Sequence, residues 1–164
     1  PASVKMANAF GAAASPMSFG EVYTAIQQGV IDGAENNELA LTDNKHGEVA
    51  KYYSYTMHQM IPDVLIANLK FLNGLSEEER QVFYDAAEVA SETERDAWTT
   101  EVEKAKKTAE EDMGVTFIYP DISLFKEKVS NVQNEMLDAN PDIRDLYDHI
   151  QLYNKQYADT KEEN

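Results

Sequence analysis

The most chemically suggestive stretch of the chain is D-G-A-E-N-N at 32 to 37, where Asp32 and Glu35 stand three residues apart and Asn36 and Asn37 follow at once. Two neighbouring carboxylates can divide acid and base work between them in hydrolysis. Asp-Gly is a turn signal, however, and one Glu after it is ordinary, so the pair reads as part of a turn and not as a catalytic dyad. The amides differ, because each can both donate and accept a hydrogen bond. They follow Val30-Ile31, which reads as a short buried strand, and loops beyond such strands are where α/β proteins expose ligand-binding groups. Asn36 or Asn37 could there bond a ligand carboxylate or hydroxyl, with Phe19, at a helix start, offering an apolar wall.

Other chemistries find no support. His46, His58 and His149 show no H-E-x-x-H or comparable spacing, so each is expected to be a surface or hydrogen-bonded histidine and no metal site is expected. With no cysteine, thiol catalysis, disulfides and cysteine-based metal sites are excluded. No G-x-S-x-G, G-x-G-x-x-G or G-x-x-x-x-G-K-[ST] string occurs, so serine hydrolysis and nucleotide binding are not expected. The chain is therefore expected to be no enzyme and to need no cofactor.

The elements that must position these residues alternate along the first half. Ser3 begins a helix to Phe10 that Gly11 stops; residues 12 to 17 are an extended link; Ser18 and Glu21 form a capping box for a second helix ending near Gly29. Leu39 to Tyr52 is expected to be helical, and Tyr53 to Met57 and Val64 to Leu69 to be strands around Pro62-Asp63. A second capping box, Ser76 to Glu79, opens a stretch without Gly or Pro up to Gly114. Its apolar residues drift around a helical period, and one helix of about 37 residues would be about 55 Å long. That is long enough to span two lobes. Val115 to Tyr119 reads as a strand, followed by helices at about 123 to 139 and, with Pro141 as first helical residue, about 142 to 158.

Of 164 residues, 43% are hydrophobic and 27% charged, enough apolar material for a core. The net charge of -16 concentrates after residue 75, where 23 acidic side chains face 10 basic ones. A chain without clustered Lys and Arg is a poor partner for nucleic acid, and the acidic excess reads as a solvated face. No run approaches the roughly 18 apolar residues of a membrane-spanning helix, so membrane insertion is not expected. The start at Pro1-Ala2-Ser3, without methionine, reads as a processed, trimmed or partial one.

Three segments carry a family resemblance: P-M-S-F-G-E-V-Y-T-A-I-Q-Q-G-V-I-D-G-A-E-N-N at 16 to 37, E-V-A-K-Y-Y-S-Y-T-M-H at 48 to 58 and L-S-E-E-E-R at 75 to 80. Through them the chain resembles the DctP family, the substrate-binding proteins of tripartite ATP-independent periplasmic (TRAP) transporters. The resemblance runs to about residue 150. It implies an α/β, periplasmic-binding-protein-like two-lobe fold, of which this would be the C-terminal half. Residues 1–75 would belong to the second ligand-binding lobe, 76–114 would be the spanning helix, and 115–164 a strand and terminal helices. It further implies a periplasmic location, an organic-acid ligand and a TRAP membrane permease as partner. By position, Phe19 matches the family's cleft aromatic, Asn36 the ligand-contacting Asn of G-x-E-N and His58 the His of T-x-H, while Asp63 falls where a polar ligand neighbour is common. Asn37 departs from the frequent proline. With Asp63 it adds hydrogen-bonding capacity, favouring a sugar acid such as a hexuronate over a C4-dicarboxylate. The family's carboxylate-clamping arginine would lie upstream of Pro1; Arg80, Arg95 and Arg144 are the arginines present, so the clamp is expected outside this sequence. An extracytoplasmic sensor of the same fold, or an acidic helical scaffold without a small ligand, are the competing readings.

Overall fold

Between Leu75 and Met113 no residue breaks a helix, and one continuous helix forms there. The computed structural model describes residues 2–161 and contains, in chain order, α1 (Ala2–Ala9), α2 (Phe19–Gln27), α3 (Leu39–Thr42), α4 (His46–Val49), β1 (Tyr52–Ser54), α5 (Leu69–Asn73), α6 (Glu77–Glu111), β2 (Thr116–Ile118), α7 (Ile122–Ala139) and α8 (Pro141–Lys161). The 35 residues of α6 start at a complete capping box. The Glu79 N–H donates to Ser76 Oγ at 3.2 Å, and the Ser76 N–H donates to the Glu79 carboxylate at 2.8 Å. Glu77, Glu78 and Glu79 also place negative charge at the positive end of the helix dipole.

The chain forms two compact units, Met17–Pro120 being one and the segments before and after it the other. In the latter, α1 packs on α7 through Phe10 and Phe125, whose rings meet edge to face at 5.3 Å, and Leu137 is buried. Asp121 caps α7, accepting from the Ser123 N–H at 2.9 Å.

The larger unit is organised by the C-terminal end of α6. Ala105 and Ala109, one turn apart on one helix face, are both buried, and their small side chains let α3 lie close against α6. Leu41 of α3 joins Ala109 and Val115 in the core, with Tyr53, Met113 and Phe117 packed against it. Burying a leucine side chain contributes about 1.5–3 kcal/mol. Strands β1 and β2 run parallel, in the register Tyr52–Thr116, Tyr53–Phe117 and Ser54–Ile118. Lys51 fastens the arrangement, its Nζ donating to the carbonyls of Gly47 and Met113, both at 2.8 Å.

Three expected elements differ. In place of one helix from Leu39 to Tyr52 there are two short ones ending at Val49, with Tyr52 already in β1, because Lys45 adopts a left-handed conformation (φ 59°) that breaks the α-helical ladder and turns the chain. Val30-Ile31 forms a bend, with Val30 exposed, and Val64 to Asn68 forms no strand. A strand is held by a neighbour, and among the described residues neither segment has one. The segment 60 to 71 instead carries Met60, Ile61, Val64, Leu65, Ile66, Leu69 and Phe71 exposed. Val82, Phe83 and Val89, in the first half of α6, are exposed as well.

Two predictions follow from this packing. At Gly47 an added Cβ would sit 2.6 Å from Met113 Sδ and 3.2 Å from the Leu41 carbonyl oxygen, whereas Gly20, inside α2, has open space around it. Gly47→Ala is therefore expected to lower unfolding stability in urea by about 1–2 kcal/mol, overpacking outweighing the helix gain. Gly20→Ala should leave stability unchanged or raise it by up to about 1 kcal/mol. Equal effects of the two substitutions would contradict the close approach. The second concerns the exposed apolar run, since patches beyond roughly a few hundred Å² mark surfaces that bind something. The isolated chain should enhance the fluorescence of the dye ANS, and Leu65→Ser with Ile66→Ser should reduce the enhancement; no enhancement would contradict the exposure.

Candidate functional site

Segment 33 to 37 joins α2 to α3 without regular structure, and its side chains hold it locally. The Asn36 Oδ1 accepts from the Asn37 N–H at 2.9 Å, and the Asn37 Oδ1 accepts from the Leu39 N–H at 3.1 Å, tying down the start of α3. Both side-chain oxygens are thus spent on backbone, and each Asn keeps its NH2 group as a donor. A proline at position 37 could make neither bond, having no N–H to give Asn36 and no side-chain oxygen for Leu39.

These amides line a cavity of about 50 Å³ together with His46, Tyr52, Tyr53 and the apolar side chain of Leu41. A volume of that size holds one or two waters or one edge of a ligand, not a whole sugar. His46, which the sequence marks only as an ordinary histidine, is the buried polar residue of the site, 6% exposed. Burial holds its pKa below the usual histidine value, so at neutral pH it is an uncharged donor and acceptor. The turn at Lys45 and the absence of a side chain at Gly47 bring it inward, and of the two only the glycine is a signal that the sequence offers.

Phe19 stands at the first position of α2, half-exposed, its ring 5.5 Å from that of His46. Ser18 orients this helix start, its hydroxyl donating to the Glu21 carboxylate at 2.6 Å. The Tyr23 hydroxyl donates to Glu48 at 2.8 Å and ties α2 to α4. Phe19, Asn36 and Asn37 are thus joined through His46.

His58 is not among the cavity-lining residues and lies near the segment 33 to 37 only through Glu35. Its Nδ1 lies 2.7 Å from Thr56 Oγ1, and its buried Nε2 lies 3.6 Å from the Glu35 carboxylate, which also accepts from Gln59 at 3.1 Å. Met57 before it takes a positive φ of 48°. Asp63 is exposed in the apolar segment and is not among the cavity-lining residues.

The electrostatics are one-sided. Burial first, then the Glu38 and Glu35 carboxylates, raise the pKa of the Tyr53 hydroxyl; burial first, then Glu38, do the same for Tyr55. No arginine or lysine lines the cavity. Arg80 spends its guanidinium on the carbonyls of Leu72 and Leu75, and Arg144 pairs with Asp138. The groups assembled here suit ligand hydroxyls and one edge of a carboxylate; they do not neutralise an anion.

Comparison with known proteins places the chain among solute-binding proteins. A TRAP periplasmic solute-binding protein from Anaerococcus prevotii, solved with bound α/β D-glucuronate, is 54% identical and superposes with a TM-score of 0.90 over 96% of this chain and 51% of its own. One from a Sulfitobacter species, with bound β-D-galacturonate, is 37% identical with a TM-score of 0.83 over 88% of this chain and 48% of its own. The uncharacterized protein YiiZ of Salmonella typhimurium is 43% identical over 141 residues, 86% of this chain and 43% of that protein. The chain therefore spans about half the length of the relatives it matches. It shares with them the α/β architecture of periplasmic binding proteins. The sequence pattern of bacterial extracellular solute-binding protein family 7, DctP, matches residues 1–140, and the chain belongs to that family.

Proposed function

We propose that this chain forms one side of the ligand cleft of a periplasmic solute-binding protein that captures a hexuronate and delivers it to a TRAP-type membrane permease, with no covalent chemistry. The observation that carries this reading is the pair of amide NH2 donors of Asn36 and Asn37 at one cavity with neutral His46, beside the Phe19 ring. It is supported by relatives solved with glucuronate and galacturonate. Ligand binding in such a protein shifts an open-to-closed equilibrium, and the permease reads the closed form.

The charge distribution favours a sugar acid over a dicarboxylate. Glu35 and Glu38 lie beside the cavity wall formed by Tyr53, where a second ligand carboxylate would meet like charge, while sugar hydroxyls could donate to those oxygens. The single carboxylate of a hexuronate needs a cation that the cavity lining lacks, and we assign that role to an arginine of the other half of the cleft. The same half would cover the apolar run from Met60 to Phe71 and the first turns of α6. In this arrangement α6 spans the two lobes, with 1–75 contributing to the second. Phe19, Asn36, Asn37 and His58 are the proposed ligand-side residues, and Asp63 would join them only on closure.

The test is calorimetric titration of the full-length protein carrying this chain. D-glucuronate or D-galacturonate should bind at least roughly 100-fold more tightly than succinate, a difference of about 2.7 kcal/mol. Asn36→Ala should weaken hexuronate binding by about 1–3 kcal/mol, since its loss strands a buried ligand oxygen, and Glu103→Gln, on an exposed part of α6, should change nothing. The 164-residue chain alone should bind roughly a thousandfold more weakly, for want of the guanidinium and the opposing lobe. Tighter binding of succinate, or an Asn36→Ala protein that binds as well as its parent, would overturn the reading.

A further inference from the structure

We infer that Tyr53 is a positioning residue, setting ligand affinity by pinning the backbone that carries Asn36. This rests on the hexuronate-binding reading and adds to it a determinant that is not itself assigned to the ligand. The Tyr53 hydroxyl donates to the Asn36 carbonyl at 2.9 Å across 17 residues of sequence. The other hydrogen bonds of the Asn36–Asn37 pair are local, to residues no further along the chain than Ala40. A segment without ladder hydrogen bonds, stabilised only by neighbours in sequence, keeps much of its conformational freedom. One anchor from a rigid element removes it.

Tyr53 is such an anchor. It is the central residue of β1, paired in register with Phe117. Its ring meets Tyr55 edge to face at 5.1 Å and Phe117 at 5.6 Å, and it packs against the Leu41–Ala109–Val115 core. The hydroxyl thus projects from an immobile base. Burial and the Glu38 and Glu35 carboxylates keep it protonated, so it remains a donor throughout the physiological pH range. Holding a donor within a fraction of an ångström of its productive place is what lets a single amide count in binding.

Tyr53→Phe removes the hydroxyl and keeps the ring that packs on Phe117, so folding should survive, as checked by circular dichroism and the thermal midpoint. In the full-length protein, D-glucuronate affinity should fall roughly 3- to 10-fold, the range for losing one hydrogen bond. In an Asn36→Ala background the same substitution should have a smaller further effect, because part of its influence passes through the Asn36 side chain and only the part that acts through Asn37 remains. Hydrogen exchange of the ligand-free protein should quicken in the peptide spanning 33 to 38 and stay unchanged in α2. Para-aminophenylalanine at position 53, which retains a donor, should restore most of the affinity. Undiminished affinity in Tyr53→Phe, an equal loss in both backgrounds, or unchanged exchange at 33 to 38 would overturn the inference. A wild-type protein that binds no hexuronate while Tyr53→Phe still quickens exchange would instead show that the hexuronate reading, and not the tether, had failed.

Discussion

The close approach of α3 to the C-terminal end of α6 is the constraint on which the candidate site depends. It is possible because positions 105 and 109 are alanines, so the helix face offers almost no side chain to hold Leu41 away. Interiors packed at crystalline density transmit such a detail, since a larger residue at 109 would have to displace α3 as a body. Segment 33 to 37 leads directly into α3, so its position follows that of the helix. On the other side, Val115 leaves α6 into β2, which fixes β1 and with it Tyr53. The Lys51 side chain links both ends through Gly47 and Met113.

That arrangement produces a surface with an unusual chemical balance. Neutral donors from Asn36, Asn37 and His46 lie among the carboxylates of Glu35 and Glu38 and the hydroxyls of Tyr53 and Tyr55. Such groups discriminate by direction, because a hydroxyl can satisfy both an amide donor and a carboxylate acceptor, whereas a bare anion satisfies only the first. Charge neutralisation is left to residues elsewhere. On the proposed reading neither side alone would hold the ligand tightly, and capture would be coupled to closure.

How much of this was legible in the sequence depended on whether the determinants were local. The capping boxes at Ser18 and Ser76, Pro141 at the start of α8 and the uninterrupted stretch behind α6 act within a few residues, and the helices stand where those signals place them. The strand expected at Val30-Ile31 and the one at Val64 to Leu69 depend on a partner strand that their own residues do not specify, and among the described residues none is present. The break at Lys45 carried no strong signal, because a lysine in left-handed conformation is rare and is held by tertiary packing. The burial of His46 is hidden from the sequence for the same reason, being a consequence of that turn and of the room that Gly47 leaves for Met113. Asn36 and Asn37 were visible as a cluster of amides after a turn, but the tether from Tyr53 was not, since nothing in the local pattern joins residues 17 apart.

The central claim is that the amides following Glu35 face the ligand. A crystal structure of the full-length protein with D-glucuronate measures this directly. The expected result is an oxygen of the sugar acid within hydrogen-bonding distance of the Asn36 side-chain nitrogen, with the Phe19 ring against the sugar and His46 behind the amide. A glucuronate bound with Asn36 and Phe19 both out of contact would contradict it.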